Sequence, residues 1–170
     1  VIESLVTIFS GSQFLSEIIL RNPGNVHLLH NRKSLTQRKS TATIHLEASK
    51  IINETNADQK LDALRRYQRG EILRIGASDL LSLYDLRTVT RQLSKLASGL
   101  VRACLDLASQ QSGISATDFV VIAMGKHGAE ELNYSSDIDL LFVAGHDKRS
   151  SPVDPMDKLK LGERLIDNLG

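Results

Sequence analysis

The hydrophobic period of this chain changes at Gly113, and that change limits the folds open to it. Before it, apolar residues recur three or four apart; after it they come in short β-branched runs, so helices come first and a small sheet follows. Val1, Ile2, Leu5, Val6 and Phe9 form the first stripe, which Ser10-Gly11-Ser12 breaks. Ser12 then offers an N-cap oxygen to a second helix carrying Phe14, Leu15, Ile18 and Ile19. Asn22-Pro23-Gly24-Asn25 has the composition of a turn, followed by a short apolar turn around Val26, Leu28 and Leu29. The polar stretch from Asn31 to Ser40 reads as a loop before a helix over Thr41 to Asn53. Asp58 is expected to cap a helix through Leu61, Leu64, Tyr67, Ile72 and Ile75, weakened at Gly70. Asp85 opens the longest helix, with Leu86, Val89, Leu93, Leu96, Leu100, Ala103 and Leu107 on one face, ending near Ser112-Gly113.

Beyond Gly113, Phe119 to Met124 and Ile138 to Val143 are the two strand candidates. A polar loop from Gly145 to Asp157 leads to a last amphipathic helix with Leu159, Leu161, Leu165, Ile166 and Leu169. The expected class is therefore α+β, divided into a helical domain over 1–113 and an incomplete second domain over 114–170. A chain of 170 residues with 41% apolar and 24% charged residues can bury a sizeable core. Its 21 Lys and Arg against 20 Asp and Glu give no global field for nucleic acid or an anionic membrane, so any anionic ligand must be held locally. No apolar run approaches the roughly 18 residues of a membrane span. The lone cysteine, Cys104, lies in the apolar stripe of the long helix, where it reads as core and rules out an internal disulfide, as suits a reducing cytoplasm. A first residue other than Met, and a helical pattern running to Gly170 without a closing element, suggest a piece of a longer polypeptide.

The chemistry is concentrated between the strand candidates. Asp137 and Asp139 flank Ile138 at a strand start, so both carboxylates face one way and Ile138 and Leu140 the other. Like charges about 6 to 7 Å apart repel by about 2 to 3 kcal/mol at an effective dielectric near 20, which a divalent cation would remove. Oxygen donors suit Mg²⁺ better than zinc. Upstream, Gly125-Lys126-His127-Gly128 leaves the first strand directly, with Ala129-Glu130-Glu131-Leu132 expected to start a short helix. Glycines there allow close backbone approach to phosphate. An Asp-x-Asp alone is common by chance; strand, Gly-rich turn, Ser135-Ser136-Asp137-Ile138-Asp139-Leu140 and strand, in that order, is far more specific.

The run from Ala123-Met124-Gly125-Lys126-His127-Gly128-Ala129 to Asn133-Tyr134-Ser135-Ser136-Asp137-Ile138-Asp139-Leu140 resembles the signature of the glutamine synthetase adenylyltransferase family. Phe14-Leu15, Arg21-Asn22-Pro23 and Arg69-Gly70-Glu71-Ile72-Leu73-Arg74-Ile75 extend the resemblance over most of the chain. It implies a polymerase-β-like nucleotidyltransferase domain, with Asp137 and Asp139 catalytic and binding Mg²⁺, and with Gly125, Lys126, Gly128, Ser135 and Ser136 at nucleotide or phosphate. It further implies a long cytoplasmic enzyme with two similar halves, one adding and one removing adenylyl groups. Its partners would be glutamine synthetase, ATP or ADP with phosphate, and the PII nitrogen-signalling protein. Glu131-Leu132-Asn133 with Ser135-Ser136-Asp137-Ile138-Asp139 is closer to the amino-terminal, removing half. Two departures stand out. The family usually has Leu and Gly where this chain has His127 and Ala129, and its third carboxylate belongs to a later Val-Asp-x-Arg-Leu-Arg-Pro strand, expected after Gly170.

Other readings remain beside it: the adding half of the same enzyme, a metal-dependent glycosyltransferase, and a helical interaction module without catalysis. Neither a P-loop nor a Gly-x-Gly-x-x-Gly motif occurs. His127 is expected on the surface, Arg65, Arg66, Arg69 and Arg74 on a solvated helix face, and Tyr134 either packed or stacked on a base.

Overall fold

A computed structural model describes residues 1–30, 32–145 and 155–170. It is α+β: helices α1 (Ile2–Gly11), α2 (Gln13–Arg21), α3 (Arg32–Leu35), α4 (Thr41–Glu54), α5 (Lys60–Leu80) and α6 (Leu86–Ser112) precede strand β1 (Phe119–Ala123). A single turn of helix, α7 (Gly125–Gly128), strand β2 (Leu140–Ala144) and helix α8 (Pro155–Leu169) complete it.

Local chemistry sets several of the helix ends. Ser12 accepts the Leu15 N–H at 3.3 Å at the start of α2, and Asp85 accepts the Thr88 N–H at 2.8 Å at the start of α6. The Thr88 side chain, and after it this N–H, holds the Asp85 carboxyl below the usual carboxylate range. Gly113 closes α6 in the left-handed region, φ 68°. Asp58 does not cap α5: it lies in a 3-10 turn, Ala57–Gln59, and α5 begins at Lys60 behind Gln59 without a side-chain cap. Gly70 does not interrupt α5, which runs unbroken through it from Lys60 to Leu80. The polar stretch before α4 also holds the one-turn α3; Asn31 at its start lies outside the described residues, as do 146–154 of the loop after β2.

The buried stripe of α6, Val89, Leu93, Leu96, Leu100, Cys104 and Leu107, is the spine of the larger core. Ile44, Ala48 and Ile52 of α4 join that cluster, as do Leu161 and Leu165 of α8. Each fully buried Leu or Ile contributes about 1.5 to 3 kcal/mol. A second cluster gathers Ile8, Leu15, Ile18 and Ile19 of α1 and α2 with Leu29, Leu35, Leu73 and Ala77.

The strands pair antiparallel, Phe119 opposite Ala144 and Ala123 opposite Leu140. Their inner face belongs to the α6 core: Phe119 is buried in it, Val121 and Phe142 pack on it, and the Phe119 and Phe142 rings lie 5.7 Å apart. On the outer face Val120, Ile122, Leu141 and Val143 are exposed. The second strand starts later than its apolar run suggests, since Asp137 to Asp139 lie before it and are tied to the first strand's end by one bond, Met124 N–H to the Asp139 carbonyl at 2.9 Å.

Candidate active site

The acidic pair sits where the second strand enters the sheet. Exposure alternates along it: Asp137 and Asp139 are exposed while Ile138 is half-buried against the α6 core, so both carboxylates lie on the solvent side. None of the ion pairs among the described residues includes Asp137 or Asp139.

Gly125 faces Asp139. Its φ of +53° is one that side-chain-bearing residues avoid, and a Cβ there would fall 2.7 Å from Asp139 Oδ2. Glycine thus lets the chain leave β1 under the carboxylate. Gly128 is held as tightly on the other side, where a Cβ would meet the Ala123 carbonyl oxygen at 2.5 Å. The helix foreseen from Ala129 is instead the single turn α7, and it ends before that residue. Glu130 N–H donates to the His127 carbonyl and Glu131 N–H to the Lys126 carbonyl, with Glu130 itself at φ 58°, a Schellman ending that usually takes glycine.

Of the other sequence candidates, Lys126 is exposed beside Gly125. Ser136 is tied into its own loop: its hydroxyl donates to Asn133 Oδ1 at 2.9 Å and accepts the Asn133 N–H at 3.2 Å. Ser135 N–H also donates to Asn133 Oδ1, at 3.0 Å. Ser135 and Tyr134 face a cleft of about 350 Å³ between the α1–α2 junction and α5, away from Gly125. Tyr134, 38% exposed, donates its hydroxyl to Asp79 Oδ2 at 3.0 Å, and burial followed by the Asp79 charge raises its pKa.

His127 is not on the surface. It is 4% exposed, with Nε2 2.9 Å from the Ser98 hydroxyl of α6, and burial lowers its pKa, with the Ser94 backbone opposing in part. Its partner is 29 residues away in sequence, so no local pattern reveals the bond. Arg74 likewise leaves the solvated face assigned to it: it is 2% exposed and its Nε lies 2.9 Å from Glu71, whereas Arg65, Arg66 and Arg69 are exposed. Cys104 is buried as expected, and burial pushes its thiol up to about 11.

Two carboxylates on one solvent face, unpaired by any described cation and flanked by a turn that leaves Asp139 room, fit a hard divalent cation such as Mg²⁺, which takes oxygen ligands and retains waters. Among the described residues no group of three or more His, Cys, Asp or Glu gathers to hold a metal. No helix there is long and apolar enough to cross a membrane.

Over 142 residues the chain is 29% identical to a bifunctional glutamine synthetase adenylyltransferase/adenylyl-removing enzyme of Leifsonia xyli subsp. xyli, matching 83% of this chain and 14% of that protein. The chain thus spans a small part of the length of this curated relative. A family model described as glutamate-ammonia ligase adenylyltransferase matches residues 2–170, almost the whole sequence, and with it the glycosyltransferase reading of the acidic pair falls away. The chain belongs to the glutamate-ammonia ligase adenylyltransferase family.

Proposed function

We propose that this chain carries two of the carboxylates of a nucleotidyltransferase site, of the polymerase-β-like kind, in the adenylyl-removing half of a bifunctional enzyme that acts on glutamine synthetase. One observation carries the reading: the Asp139 carboxylate lies against the Gly125 turn, with Asp137 on the same solvent face. The nearness of Glu131-Leu132-Asn133 and Ser135-Ser136-Asp137-Ile138-Asp139 to the removing half supports the direction.

Asp137 and Asp139 would hold Mg²⁺, which would neutralise charge on phosphoryl oxygens. The chain's own residues do the rest by placement. Gly125 keeps the space above Asp139 clear of side chain. Lys126 puts a cation at the mouth of the turn, where an anionic phosphate would approach. Ser135 and Ser136, fixed by Asn133, set the path of the chain into Asp137. In the removing direction an oxygen of inorganic phosphate bonds to the adenylyl phosphorus, the phosphorus–oxygen bond to the modified tyrosine breaks, and ADP leaves while the tyrosine oxygen takes a proton. A third carboxylate, on a strand following Gly170, would complete the site.

The test is Asp137→Asn in the full-length enzyme, with adenylyl addition and removal assayed separately. Removal is expected to fall by about two orders of magnitude or more while addition persists. Loss of addition with removal intact would overturn the assigned direction, and retention of both would overturn the catalytic role.

A further inference from the structure

The connection between the two strands is held from beneath by a single stripe of α6. Arg91, Ser94 and Ser98 follow one another three and four residues apart, so their side chains share one face of the helix. Each takes a different part of the connection. Ser98 meets His127 Nε2 at 2.9 Å; the Ser94 hydroxyl accepts the Leu132 N–H at 3.2 Å; Arg91 Nε lies 3.2 Å from Glu130 Oε2. Ser94, His127 and Leu132 are all at most 4% exposed, so the Ser94–Leu132 bond is made where water does not compete, while the Ser98–His127 bond is part-buried, its ring on the inner side. Nδ1 of His127 is buried without a hydrogen bond, which leaves Ser98 as the ring's sole side-chain partner among the described residues.

This stripe bears on the chemistry because of what His127 belongs to. It is the third residue of α7, between Gly125, which faces Asp139, and Gly128, which abuts the Ala123 carbonyl. With close contacts on both sides, α7 has little room to rotate. A ring docked into α6 fixes the remaining degree of freedom, the height of the turn above the helix. Glu130 adds to this: its left-handed backbone costs about 1 kcal/mol relative to glycine and is kept in place by neighbours that include Arg91.

We propose that Ser98 is a positioning residue for the nucleotidyl-transfer site: through its hydrogen bond to His127 it sets the Gly125 turn against the Asp139 carboxylate. This rests on the reading of Asp137 and Asp139 as the metal-holding pair. Ser98 touches no reacting atom, and its effect passes entirely through His127.

The full-length enzyme tests it in a double-mutant cycle with Ser98→Ala, His127→Leu and both together, alongside Asp139→Asn. Displacement of a reacting group by a fraction of an ångström is expected to lower kcat about tenfold in Ser98→Ala, with KM for the adenylylated protein within about twofold. The Mg²⁺ concentration for half-maximal rate should rise several-fold, and Ser98→Thr, which keeps the hydroxyl, should recover both. In the His127→Leu background Ser98→Ala should change kcat by less than about twofold, because the bond is already absent. Equal losses in both backgrounds, or an unaltered kcat and Mg²⁺ dependence in Ser98→Ala, overturn the proposal. If Ser98→Ala gives no folded protein, the same cycle run with Ser98→Cys, whose thiol is only a weak hydrogen-bonding group, decides: a rise in the Mg²⁺ requirement confined to the His127 background supports the coupling, and none overturns it. Asp139→Asn separates the two readings, since full activity in that variant defeats the assignment of the site itself, whereas an inactive Asp139→Asn beside a normal Ser98→Ala defeats only the role of Ser98.

Discussion

Two clusters of charge among the described residues are built to opposite rules. Between α4 and α5, Lys39 Nζ lies 2.5 Å from Glu47 and 2.7 Å from Glu71, and Glu71 in turn holds Arg74 at 2.9 Å. Opposite signs meet there, with Lys39, Glu71 and Arg74 largely out of water and Glu47 at the rim, and neighbouring polar atoms add to the network: Arg74 Nη1 donates to the Gln37 carbonyl at 2.7 Å, and Gln92 takes both the N–H and the carbonyl of Lys39. At the strand entry, by contrast, Asp137 and Asp139 have one sign, face solvent and pair with none of the described cations. A cluster neutralised from within can only hold chain to chain. One left unneutralised keeps its capacity for something that arrives from outside.

The largest effect expected from breaking this contrast is at Glu71. Glu71→Leu would leave Lys39 and Arg74 buried without their shared anion, a loss of about 3 to 5 kcal/mol, read from the midpoint of urea unfolding. Asp137→Asn and Asp139→Asn, made in the same chain, should leave that midpoint unchanged or raise it slightly, since they relieve repulsion between exposed like charges. A comparable loss of stability in the aspartate variants would erase the distinction.

Gly125→Ala sharpens it. The methyl group must sit at positive φ, at a cost of about 1 to 2 kcal/mol, and must displace Asp139 Oδ2 from 2.7 Å. Thermal unfolding should register the first, and a weakened response of activity to added Mg²⁺ the second.

The helical part was largely legible in the sequence because its determinants are local. Ser12 and Asp85 cap where their spacing to an apolar stripe indicates, and Cys104 is buried because its neighbours on α6 are. The placement of Asp139 beside Gly125 was legible for a related reason: a glycine at the end of one strand and an alternating Asp-x-Asp at the start of the next leave few geometries. What escaped was decided by partners distant in sequence. Arg74 looks like one more arginine of a basic helix until Glu71 and the Gln37 carbonyl are placed around it, and His127 looks like a polar turn residue until Ser98 arrives beneath it. Asp58 misled for another reason, as the 3-10 turn it occupies competes with an α-helical start.

A smaller effect concerns acidity. His127 has its pKa lowered by burial, so the unfolded chain takes up that proton first as pH falls. Its contribution is whole above the unfolded value of about 6.5 and is lost progressively below it, towards the folded pKa. Between pH 7.5 and 5.5 the wild-type chain should therefore lose more stability than His127→Leu, measured by urea titration at each pH; equal slopes would place the ring in water after all.

The smallest is at Cys104. With its thiol pushed up to about 11 and the side chain buried, it should resist alkylation by iodoacetamide at pH 8 in the folded chain and react fully in denaturant. Rapid labelling of the native protein would show the α6–α8 seam to be open.

The larger core, shared by helices and hairpin, has a kinetic consequence. A two-stranded hairpin is marginal alone in water, and here its inner face, Phe119, Val121 and Phe142, has the α6 core to rest on while its outer face is bare. Its closing contacts reach back from Leu132 to Ser94 and from His127 to Ser98, across tens of residues, so they form only once α6 is in place. The carboxylates are thus expected to be presented late on the way to the folded state and to be lost early from it. Any sub-global opening that lifts the hairpin from α6 disperses Asp137 and Asp139 while most of the helices remain, and hydrogen exchange at Leu132 and Met124 should report that opening ahead of the amides of α6.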